Sequence, residues 1–104
     1  MAYDEDLANR VRELLAAETY TEKRMFGGLA FLIGGHMAVA ASGQGGLMVR
    51  CAPEQTDELT AREHAAPFVM RGRELSGWLR VEDAGDLRPW VEIGVAYARS
   101  LPAK

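Results

Sequence analysis

Cys51 is the residue whose placement most suggests nucleophilic chemistry. It ends a predicted strand just before a helix expected to begin at Pro53. The partial positive charge of a helix N-terminus depresses a nearby thiol pKa. Cysteine is also among the most often buried residue types, so an inert packed thiol is the competing reading. His36 borders a predicted tight turn, and His64 is expected to end a helix, where an imidazolium suits the helix dipole. Neither belongs to a His-x-x-x-His or Glu-x-x-His pair, and one cysteine cannot build a thiolate zinc cage, so no metal is expected. Gly27-Gly28 and Gly34-Gly35 invite a phosphate-cradle reading. A dinucleotide fingerprint, however, leads from a strand through Gly-x-Gly-x-x-Gly into a helix. Strands follow both pairs here, so they read as turns, and no cofactor is expected. Asp57-Glu58 and Glu82-Asp83 fall in predicted helix starts or turns, the ordinary places of solvated acids. No serine, histidine and acid sit in a nucleophile-elbow context. The expectation is a chain without catalysis, with Cys51 as the one enzymatic alternative.

Those residues must be positioned by a small set of elements. Leu7, Val11, Leu14 and Leu15 form one apolar stripe at helical spacing, behind the acids Asp4, Glu5 and Asp6, which suit a helix N-terminus. This helix is expected to end near Ala17 or Glu18, before the extended-favouring Thr19, Tyr20 and Thr21. Four short strands follow, at Lys23–Phe26, Leu29–Ile33, His36–Ala41 and Leu47–Cys51. Gly34-Gly35 is a two-residue hairpin turn, and Ser42 to Gly46 makes the next. Strands so close in sequence pair antiparallel. Pro53 opens a second helix running to about His64, which Ala65-Ala66-Pro67 closes. Phe68–Met70 and Gly77–Val81 form a second hairpin around Arg71-Gly72-Arg73-Glu74. A last helix starts with Asp86 as N-cap and carries Leu87, Trp90, Gly94, Tyr97 and Leu101 as its buried stripe. Gly94 inside that stripe implies close approach to whatever the helix packs on. The order α-β4-α-β2-α predicts an α+β, two-layer fold with helices on one face of an antiparallel sheet. The expected core is Leu7, Val11, Leu14, Phe31, Val49, Leu87, Trp90 and Tyr97.

Size and composition agree with one domain over residues 1–104. The chain has 104 residues, 48% of them apolar, and a formal net charge of −3, which excludes a disordered chain. The single cysteine points to a reducing compartment. The acidic start lacks a signal peptide's pattern, and no apolar run is long enough for a membrane helix. A cytoplasmic protein is expected.

Charge divides between the predicted layers. Residues 4–18 hold two arginines and five acids, 53–64 one and four, and 82–101 two and four. The strand segments reverse this, with three bases and one acid in both 19–50 and 67–81. Strand alternation puts Met48 and Arg50 on one side of their strand, and Trp78 and Arg80 on one side of theirs. If these sides share the face that helices leave bare, it collects residue types enriched in protein interfaces. Met48, Arg50, Trp78 and Arg80 are therefore the candidate partner-binding residues, with a homodimer as one way of covering Trp78. The competing reading is that these cations merely solubilise the face. Direct nucleic-acid binding is expected to be weak, because the cations are scattered and the chain is acidic overall.

The segments Ala2-Tyr3-Asp4-Glu5, Lys23-Arg24-Met25-Phe26-Gly27-Gly28-Leu29-Ala30-Phe31 and Leu47-Met48-Val49-Arg50 resemble the TfoX/Sxy N-terminal domain family. Pro67-Phe68, Gly72-Arg73, Gly77-Trp78, Leu87 and Trp90-Val91 continue the likeness in order. The resemblance implies a secretion-chaperone-like two-layer fold and a regulatory role linked to natural competence. Founding members act as transcriptional co-regulators alongside the cyclic-AMP receptor protein, which implies a transcription factor as partner. They also carry a second, helical domain, so this chain is expected to be a single-domain member. Glu63-His64-Ala65-Ala66 lacks the family's usual Pro-Gly pair, so a differently shaped loop is expected there.

Overall fold

The computed structural model describes residues 4–25, 27–43, 45–62, 64–70, 72–82 and 86–102. The chain opens with α1 (Glu5–Leu14). Asp4 caps it, its carboxylate accepting from the N–H groups of Asp6 and Leu7 at 2.9 and 3.2 Å. The helix ends earlier than its apolar stripe suggests. Beyond Leu14 the N–H groups of Ala16 and Glu18 reach back only three residues, to Glu13 and Leu15. Tightened turns of this kind satisfy helix-end carbonyls. Leu15, whose N–H still bonds to the Val11 carbonyl at 2.9 Å, is buried one turn beyond Val11, and Leu14 lies at the core margin.

A meander follows: β1 (Thr21–Met25), β2 (Gly28–Ile33), β3 (His36–Ala41) and β4 (Leu47–Arg50). Gly34 and Gly35 have φ of 62° and 84°, the left-handed pair that a two-residue hairpin turn needs. Register slips between Phe31 and Leu32, which pair with Val39 and Met37 and leave Ala38 as a bulge residue. At the other end of the meander a Cβ on Gly28 would collide with the Ala41 carbonyl oxygen and lie 3.0 Å from the Gly43 nitrogen. Two chain reversals therefore pack backbone on backbone, which explains a glycine there. Phe26 lies outside the described residues.

A 3-10 turn (Pro53–Gln55) leads into α2 (Thr56–Thr60), which stops well short of His64. The hydroxyls of Thr56 and Thr60 donate to the carbonyls of Pro53 and Asp57 at 2.8 and 3.1 Å, a side-chain competition that weakens helix propagation. His64 takes φ 69°, a conformation glycine adopts without strain, and turns the chain back. It therefore does not face a helix C-terminus. Ala65-Ala66-Pro67 does not close the helix either, but begins β5 (Ala65–Met70). Because β5 is an edge strand, Pro67 forfeits no essential ladder bond. Its partner β6 (Arg73–Val81) starts earlier than expected, and Met70 pairs directly with Arg73. The reversal is thus two residues long, with φ 77° at Gly72.

The last helix, α3 (Arg88–Ser100), has Leu87 rather than Asp86 as its N-cap, because the Leu87 carbonyl takes the first helical bond, from the Val91 N–H at 2.9 Å. The Asp86 carboxylate, one residue earlier, accepts from the Arg88 N–H at 3.0 Å. Gly94 of α3 meets the bulge in β3. A Cβ there would run into the Ala38 carbonyl oxygen and lie 2.9 Å from both its carbon and Val39 Cγ1.

All six strands form one antiparallel sheet in the order β1-β2-β3-β4-β6-β5, and with three helices the domain is α+β. Only β4–β6 joins strands that are not neighbours in sequence. Two apolar clusters lie on the sheet. The larger unites Val11, Leu15, Phe31, Val49, Leu79, Trp90 and Val95, and includes buried apolar side chains from each of α1, α2 and α3. Of the expected core, Val11, Phe31, Val49, Leu87 and Trp90 are buried, while Leu7, Leu14 and Tyr97 are half-buried. Arg12 fastens α1 to β1 through two hydrogen bonds to the Glu22 carboxylate, at 2.8 and 3.0 Å. Arg99 pairs with Glu18 beside it. No helix among the described residues is long and apolar enough to cross a membrane.

Candidate interaction face

Residues directly opposite in an antiparallel pair project to the same face. In the β4–β6 ladder Met48 faces Arg80 and Arg50 faces Trp78, so the four candidate residues come together on one surface. Lys23 joins that face through its pairing with Ala30. This is the side away from the helices: the second cluster consists of Ala30, Met37, Ala40, Met48 and Phe68, bordered by Leu32, Leu75 and Trp78. No described helix residue belongs to it.

The face is not a bare apolar sheet. Pro67 pairs with Leu79 and Val69 with Glu74, so Phe68 alone stands against residues 75–78 of β6. The surplus residues bend the hairpin, and Phe68 and Leu75 both fold into the second cluster. Met48 and Phe68 are consequently only 8% and 7% exposed without any helix over them.

Arg50 has the most distinctive surroundings. Its guanidinium carbon lies 4.8 Å from the centroid of the Trp78 ring and 5.3 Å from that of Tyr97. Both are cation–π distances. Tyr97 comes from α3, on the other side of the sheet. Arg50 meets it where β3–β4 pairing has ended, at Val39 and Val49. Among the described residues the Arg50 guanidinium has no hydrogen bond or ion pair. Arg80 differs, since its Nε donates to Glu82 at 3.0 Å. Trp78 is half-buried, covered in part by Arg50.

The other candidates take structural positions. Cys51 is fully buried, with Sγ 3.8 Å from the Thr56 hydroxyl. Burial pushes its thiol pKa up, against a smaller opposing effect of that contact. This is the reverse of what a helix N-terminus was expected to do, and only a 3-10 turn and a short helix follow it. Thr56 also accepts from the Gly77 N–H at 2.7 Å, tying α2 to β6. His36 Nε2 contacts the Pro102 carbonyl, tying the residue after the turn that ends α3 to β3. Asp57 and Glu58 are exposed in the first turn of α2, Glu82 holds Arg80, and Asp83 lies outside the described residues. Among the described residues no three His, Cys, Asp or Glu side chains cluster to hold a metal ion. A cleft of about 250 Å³ beside the start of α1 is lined by Asp4, Asp6, Leu7, Arg10, Glu82 and Leu87, among others.

Sequence reasoning placed the four strand residues correctly but missed the part of Tyr97, which it assigned to the core. No local signal marks it, because the contact depends on where two strands part.

No curated protein and no solved structure gives a significant match to this chain. The family model of the TfoX N-terminal domain matches residues 12–98, from the last turn of α1 to the last turn of α3. The matched span contains the whole sheet, both glycine reversals and the Arg50–Trp78 pair, and the chain belongs to the TfoX N-terminal domain family.

Proposed function

We propose that this chain is a non-catalytic regulatory domain of the competence-related type, acting in the cytoplasm through protein–protein contacts on the helix-free face of its sheet. The observation that carries the reading is the cluster of Arg50, Trp78, Met48 and Arg80 on that face. Arginine and tryptophan are the residue types that most often dominate protein interfaces. Family membership supports the regulatory role. The likeness to co-regulators that work alongside the cyclic-AMP receptor protein supports a transcription factor as partner. The helix-covered and helix-free sides of the sheet support the secretion-chaperone-like, two-layer reading. Direct nucleic-acid binding is the weaker alternative, because a net charge of −3 opposes a polyanion. The raised thiol pKa of Cys51 likewise argues against an enzyme built on it.

The test is a titration of the purified chain against the cyclic-AMP receptor protein of the source organism, and separately against a short duplex at two salt concentrations. A protein complex that Trp78→Ser weakens, with the circular dichroism spectrum preserved, is the expected result. Duplex binding that falls steeply with salt, with no protein complex, would replace this reading by the nucleic-acid one.

A further inference from the structure

We infer that Arg50 is the anchor with which the helix-free face grips an acidic segment of its protein partner, seating a carboxylate on the edge of the guanidinium. The inference deepens the regulatory reading above, on which it rests, by naming the partner's chemistry. A guanidinium offers two kinds of surface, its planar faces to aromatic rings and its in-plane N–H fork to oxygen acceptors. In this structure the rings of Trp78 and Tyr97 both lie within cation–π reach of Arg50. The fork has no partner among the described residues, and none of its nitrogens is a buried, unsatisfied donor. A long flexible side chain has thus been ordered without using its hydrogen-bonding edge. Such preorganisation lowers the entropic cost of binding.

A carboxylate matches the fork bidentately. Glu82, which follows β6, is held by Arg80. Leu32, Leu75 and Trp78 border the second cluster and are only partly buried, so they offer apolar contact beside the anchor. The fitting ligand therefore combines acidic and apolar side chains. A second copy laid face to face would set Arg50, Arg80 and Lys23 against another face carrying the same cations, which like charge opposes. A duplex needs several phosphate contacts in a concentrated basic surface, whereas the cations described on this face are scattered on a chain of net charge −3.

The probe is a synthetic amphipathic peptide with leucine on one face and glutamate on the other, compared with its glutamine counterpart and a short duplex. NMR of the unaltered chain follows the Arg50 Nε–Hε and Trp78 indole resonances. Both should shift with the glutamate peptide, and the glutamine peptide should bind about tenfold more weakly. Arg50→Gln should lose about tenfold in affinity, and Arg50→Lys several-fold, because lysine cannot stack and fork at once. A dispersed amide spectrum checks that each variant is folded, and the wild-type shifts stand without any variant. The inference is overturned by unmoved Arg50 and Trp78 resonances at millimolar peptide or by equal affinity for the glutamine peptide. Duplex binding at Arg50 or a face-to-face dimer would overturn it too. If the cyclic-AMP receptor protein binds wild type and Arg50→Gln equally, the anchor fails and the regulatory reading stands. If it does not bind while the peptide engages Arg50, the reading fails and the anchor stands.

Discussion

Replacing Gly94 by alanine sets two effects against each other that the structure separates. In an isolated helix the change is favourable by about 1 kcal/mol. In α3 the added methyl would enter the space of the Ala38 carbonyl oxygen and stand 2.9 Å from Val39 Cγ1, where ordinary contact begins at 3.4 Å. The obstacle is backbone at a bulge and cannot swing aside. The helix must lift by about 1 Å, loosening Trp90, Val91, Val95 and Ala98 together, and overpacking of this kind costs about 1–3 kcal/mol. With the obstacle rigid, the upper part of that range applies, and the net loss after the propensity gain is about 1–2 kcal/mol. For a domain of this size that lowers Tm by about 4–16 °C. Thermal unfolding followed by far-UV circular dichroism reads the shift. Ala96→Gly, at an exposed position of the same helix, supplies the propensity scale and should cost about 1 kcal/mol. A Gly94→Ala protein as stable as wild type, or more so, would refute the close-approach account.

Phe31→Ala should cost about 3–5 kcal/mol, because its ring is fully buried between sheet and helices. Leu14→Ala, at the margin, should cost less than about 2 kcal/mol, and a larger loss there would show that the end of α1 has been misplaced. Cys51 should resist thiol reagents in the folded protein and react at once on denaturation. Where it does react, the rate should keep rising with pH beyond the point at which an ordinary thiol levels off, since its pKa is raised; rapid labelling at neutral pH would contradict this.

Elements governed by local chemistry were legible from sequence alone. Gly34-Gly35 is a turn in any context, and the Leu7–Val11 stripe has helical period, whereas the N-cap of the last helix lies at Leu87, one residue after the expected Asp86. The period of two was enough to put Met48 with Arg50 and Trp78 with Arg80, and their sharing one face needed only the ladder between them. Tertiary context decided the rest. Pro67 reads as a breaker until its strand is known to be an edge, and α2 stops early because threonine hydroxyls compete for its carbonyls. Leu14 and Leu15 share one stripe, and which of them is buried depends on what packs over the end of α1. Strand alternation likewise says nothing of an arginine within cation–π reach of two rings, one of them contributed by α3.

The β4–β6 ladder governs how the sheet assembles. Every other strand pair closes across a short reversal, whereas this one must wait for residues 51–72 to be laid down. Loop-closure entropy grows with the length enclosed, so the seam is the costliest ladder to form. A chain emerging from the ribosome completes β1 to β4 first and presents the outer edge of β4, an unpaired row of N–H and C=O groups. That edge accepts β6 from its own chain or from another. The Thr56 hydroxyl, bonded at once to the Pro53 carbonyl and the Gly77 N–H, pins the intervening segment to the strand it delivers. It shortens the effective loop and favours closure within one molecule over exchange between two.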